Sequence, residues 1–203
     1  MRVLTLFSGT HSVGETISKH FPDWEEEVSL DIAFASTHRC DVLTWDYTKC
    51  YNPGHFDLVW ATPECIMYSK ARNSCTKPRD LAHADSMVLK TFEIINYLRP
   101  KYWIIENPET GLLKKRPFMQ GIPYVVTDYC MHGMPFRKRT ALWSNVTDEL
   151  APLVRRCDKR CGAVLEGRHV TSVEAAFAGD KRGKIPQPLL LAIFSKLTNT
   201  NGY

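Results

Sequence analysis

No uninterrupted apolar run in this chain approaches the ~20 residues a bilayer-spanning helix requires, and no basic leader precedes an apolar stretch. The expectation is a soluble, intracellular protein of cytoplasm or nucleus, with no membrane partner. The seven cysteines lack the even count and regular spacing of a disulfide framework, which points to free thiols in a reducing compartment. Neither sign of charge dominates. The formal net charge of +4 excludes no partner, and hydrophobic and charged contents of 44% and 24% are ordinary for a globular chain. With 203 residues, the expectation is one domain spanning 1–203, long enough to bury a proper core.

The most informative stretch is Phe56 to Arg72, FDLVWATPECIMYSKAR. Phe56 to Ala61 has the composition of a strand buried on both faces of a parallel sheet, and Pro63 ends it because proline cannot continue a central strand. Cys65 then falls on the loop leaving the carboxyl end of that strand, where open α/β sheets keep their ligands and catalytic groups. Taken alone, a cysteine there is more often a small buried hydrophobe than a nucleophile.

Other strands and turns repeat the arrangement. Arg2 to Phe7 reads as the first strand, and Ser8 to Gly14 as a small-residue turn opening a helix through about His20. Such a turn lets backbone approach a bound carboxylate or phosphate. Val28 to Asp31 reads as a second strand ending in an acid, placed to reach ribose hydroxyls. Cys40 to Leu43 repeats that pattern in miniature, and Asn52-Pro53-Gly54 is a turn. Ser69 to Pro78 is polar, basic and without periodicity, long enough to act as a lid over nucleic acid or to be a plain surface loop. His83 to Leu98 has helical spacing, and Tyr102 to Ile105 reads as a buried strand with Glu106 at its tip. Tyr124 to Asp128 and Thr140 to Ser144 read as an antiparallel closing pair.

Leu4-Thr5-Leu6-Phe7-Ser8-Gly9-Thr10-His11-Ser12-Val13-Gly14, then Thr62-Pro63-Glu64-Cys65, then Ile104-Ile105-Glu106-Asn107-Pro108, fall in an order that resembles the cytosine carbon-5 methyltransferases, whose motifs run FxGxG, PC, EN and a QxRxR-like segment. The resemblance covers most of Met1 to Asn145 and returns at Gly183-Lys184-Ile185-Pro186. It implies an α/β, Rossmann-like methyltransferase sandwich with a mostly parallel sheet, using S-adenosylmethionine (AdoMet). The cofactor positions it implies are Phe7, Ser8, Gly9, Thr10, His11, Ser12, Asp31, Ile32, Asp41, Val42 and Pro63, with the methionine carboxylate near Phe7 to Ser12 and Asp41 facing the adenine amino group. It implies Cys65 as nucleophile, Glu106 as the acid on ring nitrogen 3 and Asn107 as its orienter.

The chain departs from the family pattern at several points. His11 stands where glycine is common, and Glu64 where proline usually precedes the cysteine. Aligning Gly133-Met134-Pro135 puts Phe136, Lys138 and Thr140 at the Gln and two Arg positions; sliding by one recovers Arg137 and Arg139, and Arg139 joins the expected catalytic set. The separate target-recognition domain is missing. In its place Val146 to Lys181, about three dozen residues, is too short for an independent domain. The expectation is a reduced reader over 146–182, followed by an apolar helix from Leu189 to Leu197.

That reader contains Cys157-Asp158-Lys159-Arg160-Cys161 and His169. The spacing is compatible with tetrahedral zinc, Cys130 or His132 supplying a fourth ligand, and equally with free thiols in a basic loop. Basic residues concentrate at Arg137 to Arg139, Arg155-Arg156, Lys159-Arg160 and Lys181-Arg182, as a phosphate-facing side requires. DNA is the expected partner; an RNA methyltransferase and a non-catalytic AdoMet- or nucleic-acid-binding remnant are the alternatives.

Overall fold

A computed structural model describes residues 1–171 and 183–199. A six-stranded sheet has the order β2-β1-β3-β4-β6-β5. Its strands are β1 Arg2–Leu6, β2 Glu26–Leu30, β3 Leu58–Ala61, β4 Tyr102–Pro108, β5 Tyr124–Asp128 and β6 Arg139–Ser144. The first four pair in parallel, and β6 then runs antiparallel to both β4 and β5. The mostly parallel α/β expectation holds, with the closing antiparallel pair in its expected place.

Alternation along the buried strands sorts side chains to two cores. Leu4, Val59 and Ile105 face α3 (Leu81–Leu98), whereas Val3, Leu58, Trp60 and Ile104 face α1 (Ser12–His20) and the last helix, α5 (Gln187–Asn199). Burial on both faces is why β3 reads as an unbroken apolar run. Asp80 caps α3 by accepting from the His83 backbone N–H, and Arg99, at φ 49°, ends it. The short helices α2 (Tyr47–Cys50) and α4 (Thr147–Leu150) are the other α-helices among the described residues.

Three expectations change. The strand carrying Glu106 runs on to Pro108, because antiparallel pairing places Glu106 opposite Leu142 and Asn107 opposite Ala141. Cys40 to Leu43 is a turn, not a strand, held by the Asp41 carboxylate accepting from Leu43 N–H. The span expected as the reader, 146–182, is divided. Val146 and Leu150 are buried in the core beside α5, and the segment beyond Val154 is mostly exposed. It carries the hairpin β7 Val164–Leu165 and β8 Arg168–His169. Residues 172–182, which end the expected span and include Lys181-Arg182, lie outside the described residues. No helix among the described residues is long and apolar enough to cross a membrane.

Candidate functional site

From β1 the chain goes outward to β2 and returns to β3 on the opposite side, so the sheet's switch point lies between β1 and β3. A crevice outside the carboxyl ends of these strands is the usual ligand position in such sheets. A cavity of about 530 Å³ opens there. Phe7, Ser8, Gly9, Thr10, Ser12, Asp31, Ile32, Asp41, Val42 and Pro63 all line it, as do Glu64 and Cys65. Its size is that of a small-molecule pocket.

Backbone conformation shapes the pocket floor. Phe7, Gly9 and His11 all have φ near +50° to +60°, a left-handed run that costs a residue with a side chain about 1 kcal/mol. That requirement explains why glycine suits position 11. His11 itself does not line the cavity; its imidazole bonds the Ala35 carbonyl. Asp31 fixes the opposite wall, accepting from Gly9 N–H at 2.9 Å on one oxygen and from Ala33 and Phe34 N–H at 2.8 and 3.1 Å on the other. Ile32 projects beside it, 65% exposed, an apolar surface bordering the pocket. The C-terminal segment returns here, with Ile185 N–H donating to Ser12 Oγ at 3.1 Å.

The thiol loop is tied down on both sides. Asn107 Nδ2 donates to the Pro63 carbonyl at 2.9 Å, linking β4 to the loop that carries Cys65. Leu112 N–H donates to the Tyr68 carbonyl, and a Cβ on Gly111 would come within 3.2 Å of that same oxygen, a tight contact that glycine avoids. The Tyr68 hydroxyl donates to Asp85, which Arg116 also binds through Nε at 3.0 Å. The Ser69 to Pro78 segment contains a short 3₁₀ turn, Lys70–Ser74, held by Arg79 on the Met67 and Ser69 carbonyls.

Burial pushes the Cys65 thiol above its ordinary pKa; the Lys138 ammonium opposes this, while the Glu106 and Glu64 carboxylates add to it. Glu64 is exposed, and its effect is the smallest of these. Glu106 is 5% exposed. Its Oε1 accepts from the Tyr129 hydroxyl at 2.9 Å and from Lys138 Nζ at 3.2 Å. The Lys138 ammonium also sits 5.0 Å above the Tyr129 ring. Tyr129 is fully buried, and burial together with Glu106 raises its pKa far above the usual phenol value.

Arg139, expected among the catalytic groups, lies elsewhere. Strand alternation sends Lys138 and Thr140 to one side of the segment and Arg137 and Arg139 to the other, where both bind the fully buried Asp128. Asp128 also accepts from Cys157 N–H at 2.9 Å and pairs with Arg156 at 3.6 Å. Sequence reading gave Lys138 as one of two alignments and missed Tyr129 and Asp128, which carry no local signal.

A second cluster lies beyond Asp128. The ligand atoms of Cys130, Cys157, Cys161 and His169 all fall within 4.8 Å of one another. His132 is not among them, because its imidazole bonds the Thr127 hydroxyl at 2.7 Å.

No family model matches the chain. A curated relative, Probable DNA (cytosine-5)-methyltransferase of Frog virus 3 (isolate Goorha), is 42% identical over 157 residues, covering 72% of this chain and 71% of that protein. This chain belongs to the cytosine-5 methyltransferase family. Among solved structures, the Entamoeba histolytica methyltransferase EhMeth superposes with a TM-score of 0.62 at 10% identity, covering 100% of this methyltransferase and 99% of that chain. A prophage-encoded protein of E. coli described as a putative DNA modification methyltransferase gives 0.53 at 13% identity, covering 74% of this chain. This chain spans 48% of that protein's length. At these identities the structural likeness shows the shared fold, a Rossmann-like methyltransferase sandwich. Within the family, the present chain has Lys138 beside the EN glutamate and Glu64 beside the cysteine.

Proposed function

We propose that this methyltransferase transfers a methyl group from AdoMet to carbon 5 of cytosine in DNA, with Cys65 as nucleophile. The observation that carries the reading is that Cys65 lines the pocket at the sheet's switch point while Asn107 bonds the Pro63 carbonyl of its loop and Glu106, paired with Lys138, lies near enough for both charges to act on the thiol. The pocket suits AdoMet. Ser8 and Trp60 line it with a buried hydroxyl and indole N–H that have no hydrogen-bond partner among the described residues. Asp31 keeps acceptor capacity for ribose hydroxyls, since an ionised carboxylate offers about four lone-pair sites and three are used. Ile32 presents an apolar face of the kind an adenine ring covers.

When bound, AdoMet would supply an electrophilic methyl group. The Cys65 thiolate adds to carbon 6, which pushes electron density toward carbon 5. Glu106 in its acid form donates a hydrogen bond to ring nitrogen 3 from Oε2, its Oε1 accepting from Tyr129 and Lys138, and relieves the charge that develops there. Lys138 favours the thiolate and fixes the Glu106 carboxyl group through Oε1, while Asn107 holds the thiol loop at its distance from β4. Carbon 5 takes the methyl group and S-adenosylhomocysteine is the other product; loss of the carbon 5 proton to water and breakage of the sulfur–carbon 6 bond then restore the aromatic ring and the free thiolate. A base inside a duplex cannot reach Cys65, so the target is flipped out or already single-stranded.

Transfer of tritium from labelled AdoMet to unmethylated duplex DNA tests this, with bulk tRNA in parallel. Label in DNA that vanishes with Cys65→Ser, while AdoMet binding by calorimetry stays near the native value, supports the reading. Label in tRNA alone transfers the reading to RNA. Loss of AdoMet binding in the mutant would make Cys65 a structural residue and overturn its assignment.

A further inference from the structure

We propose that Cys130, Cys157, Cys161 and His169 bind one zinc ion, and that this ion fastens the reduced reader to the catalytic sheet. The Sγ atoms of Cys157 and Cys161 are 3.6 Å apart, and His169 Nε2 lies 3.5 and 3.4 Å from them. A tetrahedral zinc with Zn–S near 2.3 Å and Zn–N near 2.0 Å places its ligand atoms about 3.5–3.8 Å apart, so the spacings fit. A disulfide does not, since its sulfurs must approach to about 2.05 Å. Three thiolates and an imidazole in a closed set select zinc among the common divalent ions, and leave no open position for catalysis.

The four ligands come from three separate pieces of chain. Cys130 sits on the 3₁₀ turn Tyr129–His132, Cys157 and Cys161 on the loop beyond Val154, and His169 on β8. The hairpin that bears His169 has only four residues in its two strands, too few to be stable alone. The ion would supply what that hairpin lacks. It would also clamp the active site indirectly, because Cys130 directly follows Tyr129, whose hydroxyl binds Glu106. On the other side, Cys157 N–H reaches Asp128, which holds Arg137 and Arg139 on either side of Lys138. One metal site thereby spans the exposed reader and the two residues that position Glu106.

Purified full-length protein, kept reduced and free of chelator, should contain about one zinc per chain by mass spectrometry of the metal. Cys75→Ser, altering an exposed cysteine in the segment after β3, should leave that content unchanged, as should His169→Cys, which preserves four donors. Cys161→Ser should reduce it at least tenfold. Cobalt(II) exchanged into the native chain should show intense thiolate charge-transfer absorption with tetrahedral ligand-field bands, an observation that needs no variant. Absence of both zinc and that absorption in the native chain, or zinc content indifferent to Cys161→Ser, would overturn the proposal.

Discussion

A half-buried thiol near two carboxylates is a poor nucleophile unless something offsets them, and at Cys65 the Lys138 charge does so. Because the thiol pKa is raised, the thiolate fraction, and with it kcat/KM for methyl transfer, should climb with pH through the neutral and alkaline range. Lys138→Met removes the favourable charge, so the limb should move to higher pH and kcat/KM at neutral pH fall by about 10²-fold. Glu64→Gln removes a carboxylate that disfavours the thiolate, and the limb should move the other way. Parallel pH profiles of the three proteins check both directions; an unmoved limb in Lys138→Met would remove Lys138 from the chemistry. Cys65 and Glu106 were legible as residues, but their environment was not. Lys138 and Arg139 are neighbours of similar charge, and only the side of the strand each faces separates a group that binds Glu106 from one that binds Asp128.

Among the elements, α5 is the one on which the fold's second face depends. Phe194 is fully buried and packs edge-on to Trp60 of β3 at 6.0 Å, with Phe21 and Trp24 against its other side. Phe194→Ala should therefore destabilise the protein by about 3–5 kcal/mol, read as a lower urea midpoint with unchanged slope. Since Ile185, just before α5, closes the pocket through Ser12, the same variant should bind AdoMet more weakly if that pocket is its site. The period of Leu189 to Leu197 announced a helix. Its landing place beside α1, and the use of its approach to close the pocket, came from contacts between residues as far apart as Ser12 and Ile185.

Over the whole molecule, charge is modest in sum and uneven in place. The part beyond Val154 exposes Arg155, Arg156, Lys159, Arg160 and Arg168 against the acids Asp158 and Glu166, with Leu165 and Val170 projecting 67% and 59% exposed. If this face meets phosphates, replacing Arg156, Lys159, Arg160 and Arg168 by alanine should flatten the slope of log affinity against log salt by about 0.9 for each duplex phosphate that the variant no longer neutralises. Fluorescence anisotropy of labelled duplex DNA across a salt series measures it; an unchanged slope would place the nucleic acid on another face.

The sequence by itself determined the run of strands and helices, the order of the four motifs and the pocket positions around them, because these are written in local period, turn chemistry and chain direction. Tertiary structure decided what local pattern cannot express. Glu106 became an interior strand residue once β6 paired with β4. Asp31, at a strand end, became a brace for the Gly9 loop, and Asp128, which read only as the end of a strand, became the anchor of three arginines and Cys157. Cys130 was separated from His132 by which side chain met the thiols. Each of these outcomes turns on a distance between segments remote in the chain, and such distances exist only once the sheet has closed.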